Sequence, residues 1–281
     1  MGKLQNIIYF LSEKIIVLQK NIYFCGLFHN RLIKNKNKMK KVFIMICAVS
    51  VIAASLSCYG QQEQITMIFE GHGEVKFSIG GSEMVTINWG DGSKIETYKQ
   101  ANVINEYGEP LPYQYKHEYS TASATTVTIT GKNIMYLNCE GTRLTGLDVS
   151  KSIALTTLEC NLNQLTSLDV SNNPALEVLH CSGNKLTNLD VSKNTALTEL
   201  CCVKNQLSGL DVNKNTALKE LKCGMNQFSS AALKTLFETL HSNDINRDKH
   251  VSVSTNPGMS EDYLSYEEDK KIAKGKGWLV F

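Results

Sequence analysis

Several absences narrow the chain before any motif is read. No G-x-S-x-G, H-E-x-x-H, P-loop or dinucleotide-binding glycine fingerprint occurs in the 281 residues, so the local signatures of serine hydrolases, zinc proteases and nucleotide-binding enzymes are missing. The nine cysteines include no C-x-x-C cluster with histidine; metal-ligand spacing is therefore lacking, and no cofactor is expected. A basic excess is missing as well. Nine of the 29 Lys and Arg precede residue 61, which leaves 20 basic against 26 acidic residues downstream. A body of that mildly acidic balance offers nucleic acid no patch. The apolar run from Val42 to Ala54 is too short for a membrane span. With 8% aromatic and 20% charged residues, what remains is ordinary globular composition.

The N-terminal segment reads as targeting. Met39, Lys40 and Lys41 form a charged n-region, Val42 to Ala54 an apolar core, and Ser55 to Gly60 a small, polar exit. Cleavage after Gly60 would free Gln61. Lipoprotein processing would instead make Cys58 the lipidated first residue, although Ser55 stands where such signals usually carry Leu. Residues 39–60 are thus expected to be a signal peptide. Residues 1–38 are read as an N-terminal extension from a start codon assigned too early, with a genuine extension as the alternative. Either exit places the protein at the cell surface, outer membrane or extracellular space, or in the periplasm. Membrane contact would come only through a lipid on Cys58.

What is present is a repeat. LTGLDVSKSIALTTLECNLNQ, from Leu144, is followed by LTSLDVSNNPALEVLHCSGNK, LTNLDVSKNTALTELCCVKNQ and LSGLDVNKNTALKELKCGMNQ, which ends at Gln227. These are four uninterrupted copies of 21 residues; a partial copy from Ile134 leads in. Each carries L-x-x-L-x-C-x-x-N, as in Leu176, Leu179, Cys181 and Asn184, and its other half echoes it as L-x-x-L-x-V-x-x-N, as in Leu165, Leu168, Val170 and Asn173, with Ser152 in the Asn place of the first copy. Such a period means stacked coils, here with two short extended stretches per coil. Alternation then turns Leu and Cys inward. Asn163, Asn184, Asn205 and Asn226 should form an internal ladder that satisfies backbone groups at the turn, with Thr142 a weaker substitute in the lead-in coil. Cys139, Cys160, Cys181, Cys202 and Cys223 occupy one structural position. They read as a packed column of small hydrophobes rather than disulfides. Cys201 should face outward.

The flanks differ. VTINWGDGS, from Val85 to Ser93, is a β-branched strand entering a Gly-rich turn, and His117, Tyr119 and Thr126–Thr130 give later strands. After the repeats, Ser229 or Ser230 can cap a helix to about Leu240. His250–Thr255 reads as a strand, Asn256-Pro257-Gly258 as a turn, Ser260 as the start of a second helix, and Trp278–Phe281 as a final strand.

The repeats resemble the short leucine-rich repeats of surface proteins from Gram-negative gut bacteria and, more distantly, the internalin adhesins, over about residues 134–228. The W-G-D-G-S, H-x-Y and T-V-T-I-T-G motifs resemble a polycystic-kidney-disease (PKD) type of immunoglobulin-like β-sandwich. In that resemblance Asp91 bonds turn amides and Trp89 packs in the core. The expected fold is a β-rich solenoid: a PKD-like sandwich (61–131), leucine-rich repeats (132–228) and an α/β C-terminal cap (229–281).

For function, the expectation is a non-catalytic, monomeric binding or adhesion protein. Its partner would be a protein or a host or cell-surface ligand. The alternative is a carbohydrate-binding accessory protein that meets a glycan through the sandwich. The binding face would be the solvent positions beside the Cys column: Asn138, Glu159, Asn161, His180, Ser182 and Lys222. The uniform column Asp148, Asp169, Asp190 and Asp211 should repel itself unless lysines, hydroxyls or a cation compensate. A structural role is favoured there over a cation site.

Overall fold

The computed structural model describes residues 62–82, 84–99, 112–120, 123–242, 249–257 and 263–281. The signal segment and Cys58 lie outside the described residues. Eight strands come first: β1 (Glu63–Phe69), β2 (Gly73–Gly80), β3 (Met84–Asn88), β4 (Glu96–Lys99), β5 (Tyr113–Tyr119), β6 (Thr125–Gly131), β7 (Tyr136–Asn138) and β8 (Leu144–Asp148). The repeats add β9 (Thr157–Glu159), β10 (Val178–His180), β11 (Glu199–Cys201) and β12 (Glu220–Lys222). Helix α1 (Ser230–Thr239), β13 (Lys249–Ser252), α2 (Tyr263–Gly275) and β14 (Trp278–Val280) follow.

The N-terminal strands alternate with period two. Ile65, Met67 and Phe69 of β1, and Val75, Phe77 and Ile79 of β2, are buried, so each strand presents one apolar face. Two sheets bring those faces together, and ring pairs Phe69–Tyr119 (4.9 Å between centroids) and Phe77–Trp89 (5.5 Å) cross between them. The sheets do not stop at the repeats. One runs β4-β3-β6-β1-β8 and takes in the first copy of the repeat. The other has nine strands, β14-β13-β12-β11-β10-β9-β7-β2-β5. The coil pairing is parallel and in register at the repeat spacing, for example Leu158, Leu179, Leu200 and Leu221 side by side. At β7 the sheet turns antiparallel, with Ile79 facing Leu137. Buried Glu63 reinforces the join by accepting the Ile134 amide at 2.7 Å.

Inside the coils, Leu and Cys of the Cys side and, apart from the half-buried Leu147, Leu and Val of the opposite side are almost fully buried in a leucine-rich-repeat core continuous with the N-terminal sheets. Each such side chain contributes about 1.5–3 kcal/mol on burial. The asparagine ladder forms as expected. Asn184 accepts the Leu165 amide (3.0 Å) and donates to the Cys160 and Cys181 carbonyls (both 3.0 Å); Asn163, Asn205 and Asn226 repeat the pattern. Thr142 donates only to the Cys139 carbonyl and to Asn163. The residue before each ladder asparagine is left-handed, with φ of 52° at Leu162, 67° at Gly183, 56° at Lys204 and 54° at Met225. That conformation turns the chain sharply off the sheet.

The expectation of two extended stretches per coil needs correction. On the valine side only β8 is a strand, because β1 pairs with it. In later copies one backbone bond joins neighbouring coils there, such as Lys185 to the Leu165 carbonyl at 2.9 Å. A second ladder supplies the rest: Asn194 donates to the Val170 and Asn173 carbonyls, both at 2.9 Å. Beyond the repeats, Ser229 caps α1 by accepting the Ala232 amide. Asn256, read from sequence as a turn residue, is the last rung of the first ladder, accepting the Asn226 amide at 3.0 Å.

Candidate binding face

The solvent side of the nine-stranded sheet carries most of the sequence-predicted residues. Register places Asn138 beside Glu159, Glu159 beside His180, His180 beside Cys201, and Cys201 beside Lys222. The row extends past the repeats at both ends, to Ser252 on β13 and to Ser78 and Gln114 on β2 and β5. Sequence reasoning did not include those three. No local pattern in FSIG or YQY signals that these segments pair with a coil far along the chain. Residues between buried leucines point outward by strand alternation, which is why the row exists at all.

Its ionisable side chains meet one another within the face. His180 Nε2 lies 2.8 Å from Glu199 Oε1, and Lys222 Nζ 2.5 Å from Glu220 Oε1. Asn138 Nδ2 donates to Glu159 Oε2 at 2.6 Å. The Glu220 hydrogen bond holds the Lys222 ammonium above its ordinary range. Two predicted residues stand apart. Asn161 accepts the Ser182 amide (2.8 Å) and Ser182 accepts the Val203 amide (3.1 Å), so both side chains join one coil to the next.

Cys139, Cys160, Cys181, Cys202 and Cys223 are free and fully buried. Burial pushes the Cys139 thiol up to about 12 and the Cys160, Cys181 and Cys202 thiols well above the usual range. A thiolate, the reactive form, is therefore strongly disfavoured in the column. Cys201 is half-buried, with its Sγ 3.1 Å from Ser182 Oγ.

In the N-terminal sheets, Asp91 accepts the Ser93 amide at 3.0 Å and Trp89 is buried. A partner for Asp91 that sequence reasoning missed is His117, with Nε2 2.7 Å from Oδ2. Hydrogen bonds from Ser93 and His117 hold the Asp91 carboxyl far below the carboxylate range. The imidazole stacks on Trp89 (4.7 Å, 13°), and Tyr119 donates to the Trp89 carbonyl at 2.7 Å. These contacts fix a turn.

The aspartate column is stabilised by serine hydroxyls and backbone amides, with Lys151 and Lys193 adding to this at Asp148 and Asp190. Asp148, Asp169, Asp190 and Asp211 each accept the amide two residues on, at 2.8–2.9 Å. Hydrogen bonds to Ser150, Ser171 and Ser192 hold the first three carboxyls below their ordinary range. Among the described residues, no three His, Cys, Asp or Glu side chains are arranged to hold a metal ion, and no helix is long and apolar enough to cross a membrane.

No known family matches the chain, and no curated protein is significantly similar to it. Solved structures do match. The functional domain of InlJ from Listeria monocytogenes, described as including a cysteine ladder, is 36% identical over 48% of this chain and 28% of that one, with a TM-score of 0.39. A leucine-rich-repeat protein of Leptospira interrogans is 21% identical over 47% of this chain and 32% of its own, TM-score 0.35. An internalin, InlF of L. monocytogenes, is 20% identical over 47% of this chain and 42% of its own, TM-score 0.29. The chain thus spans less than half the length of each.

Proposed function

We propose that this is a non-catalytic, exported binding protein that meets a protein partner, a host or cell-surface ligand, on the solvent face of the nine-stranded sheet. One observation carries the reading: the varied row from Gln114 to Ser252 lies on a single uninterrupted sheet, while the core positions beneath it repeat. Stacked coils offer partners such an extended face. Glu199 and Glu220 sit beside His180 and Lys222, and Glu159 beside the Asn138 amide, a mix of charged and polar groups that suits a protein surface. The N-terminal sheets are read as the PKD-like sandwich, and α1, β13, α2 and β14 as the cap. Export follows the segment 39–60, with Cys58 as the anchor if lipidated.

The test uses the full chain against purified cell-surface and matrix glycoproteins, before and after enzymatic deglycosylation. A triple variant, Glu159→Ala, His180→Ala and Lys222→Ala, should lose binding at least roughly tenfold while keeping its thermal transition, because these side chains lie outside the core. Unchanged binding by the triple variant would contradict the reading. Binding that disappears on deglycosylation would transfer the function to the glycan alternative. Intact mass of the native protein reads the anchor: a diacyl or triacyl addition on Cys58, or a chain beginning at Gln61.

A further inference from the structure

Three cavities, of about 590, 330 and 290 Å³, lie on the valine side of the coils, away from the sheet face. Neighbouring cavities share walls. Ser167 and Asp169 line two of them, and Thr187 and Asp190 line the next two. They form one trough, closed by Thr66 and Ile68 of β1 at one end and by Ala232 and Thr235 of α1 at the other. Its floor is the column Leu168, Leu189 and Leu210, which are 7%, 4% and 7% exposed while their counterparts on the Cys side, Leu158, Leu179, Leu200 and Leu221, are at 0%. In each coil a hydroxyl residue (Thr166, Thr187 or Ser208) stands two places before the floor leucine and an aspartate follows it. The trough therefore has a hydrogen-bonding wall and a carboxylate wall.

Lys151 and Lys193 lie near enough to Asp148 and Asp190 to favour their charged forms, but neither closes an ion pair on the carboxylate wall. None of the ion pairs among the described residues involves the four aspartates. Lys151 reaches Gln64 instead (3.2 Å), and Lys214 is the one cation in the lining. The sheet face, by contrast, sets Glu199 and Glu220 each beside a basic side chain.

We propose that this trough binds an extended, lysine- or arginine-bearing peptide segment, independently of the sheet face. Four coils at about 4.8 Å give a length of roughly 15–20 Å, which an extended chain at about 3.3 Å per residue fills with five or six residues. Basic side chains meet Asp169 and Asp190, their methylene stems cover the leucine floor, and the peptide backbone bonds to Thr187 and Asn188. A hard cation fits less well, because each coil contributes a single carboxylate and one oxygen of each is held by an amide.

The probe is a fluorescein-labelled hexapeptide of alternating Lys and Ala, titrated by anisotropy against the full chain, beside its Nε-acetylated form. The lysine peptide should bind, and weaken steeply between low and physiological salt. Acetylation should reduce binding at least roughly tenfold. Thr187→Lys, at an exposed trough position, should do the same without touching the core. Asp169→Asn with Asp190→Asn should also do so, because Asn retains the oxygen that accepts the turn amide. The sheet-face triple variant should bind the peptide normally, which separates this proposal from the previous one. Equal binding of the acetylated peptide, indifference to Thr187→Lys, loss in the sheet-face variant, no binding at all, or saturation by calcium or a neutral oligosaccharide alone would each overturn it.

Discussion

The two sides of one coil carry nearly the same motif, L-x-x-L-x-C-x-x-N and L-x-x-L-x-V-x-x-N, yet they are built differently. On the Cys side, short parallel strands zip coil to coil and the ladder asparagines use both ends of their amides. On the valine side, regular pairing is confined to β8, and Asn173, Asn194 and Asn215 donate twice while their Oδ1 atoms have no partner among the described residues. The first side is a regular sheet with ion pairs on its surface. The second is irregular, hollowed by cavities and lined by aspartates that form no ion pair among the described residues. Where backbone hydrogen bonds already close a coil, side chains on the surface are free to vary. Where they do not, the side chains at Asp148 and its equivalents are fixed by the task of satisfying amides, which is why that column is uniform.

Both sides are tied to the N-terminal sheets, β8 through β1 and β7 through β2. Deleting residues 61–131 should therefore have the largest effect. It removes the partners of both, exposes two strand edges and uncovers the first coil's core; circular dichroism and thermal melting should show no cooperatively folded array. A soluble fragment melting like the whole would break the comparison at its root. Next in size is Asn205→Ala, which orphans the buried Leu186 amide and takes one of two donors from each of the Cys181 and Cys202 carbonyls, at about 2–3 kcal/mol in denaturant unfolding. Asn194→Ala loses two donations and no acceptance, so about 1–2 kcal/mol is expected. Equal costs would mean the sides are equivalent after all.

Acid separates the sides further. Asp148, Asp169, Asp190 and Asp91 have folded-state carboxyls held below their ordinary range. A depressed pKa stabilises above the unfolded value, near pH 4, and that contribution is lost as pH falls through the lower folded values. Melting followed from pH 5 downward should decline, and Asp169→Asn with Asp190→Asn should flatten the decline. A parallel decline in that variant would remove the column from the account. The smallest effect belongs to the turn of the Cys side. Lys204 is exposed at φ 56°, so Lys204→Gly should stabilise by about 0.5–1 kcal/mol or less, relief of left-handed strain being partly offset by unfolded-state entropy. A loss of stability would show that the turn is not strained.

Much of the solenoid was legible because its signal is periodic. Leu179, Cys181 and Asn184 recur at one spacing, and period alone fixes which face each occupies. The non-periodic contacts were hidden. Val251, Val253 and Asn256 repeat the L-x-C-x-x-N geometry with valines, a substitution close enough to have been found. The Asp91–His117 pair spans β3's turn and β5, and the docking of β2 on β7 is antiparallel; neither leaves a local pattern. The trough is a surface shape, made where Leu168 and its equivalents are slightly uncovered, and no residue count foretells a shape. For the site, sequence placed Asn138, Glu159, His180 and Lys222 in one row. It gave no reason to separate Asn161 and Ser182, whose side chains bond neighbouring coils.

The central claim is that the N-terminal sheets and the array form one cooperative body. The chain's two tryptophans report it from opposite ends: Trp89 is buried in the N-terminal sheets and Trp278 beside α2 and β13, donating to the His241 carbonyl at 3.0 Å. Denaturant unfolding of the Trp89→Phe and Trp278→Phe variants, each followed by its remaining indole, measures the two ends separately. Coincident transitions, matched by circular dichroism, are the predicted result. Two well-separated midpoints, with the Trp89 end melting alone while the array persists, would contradict the account.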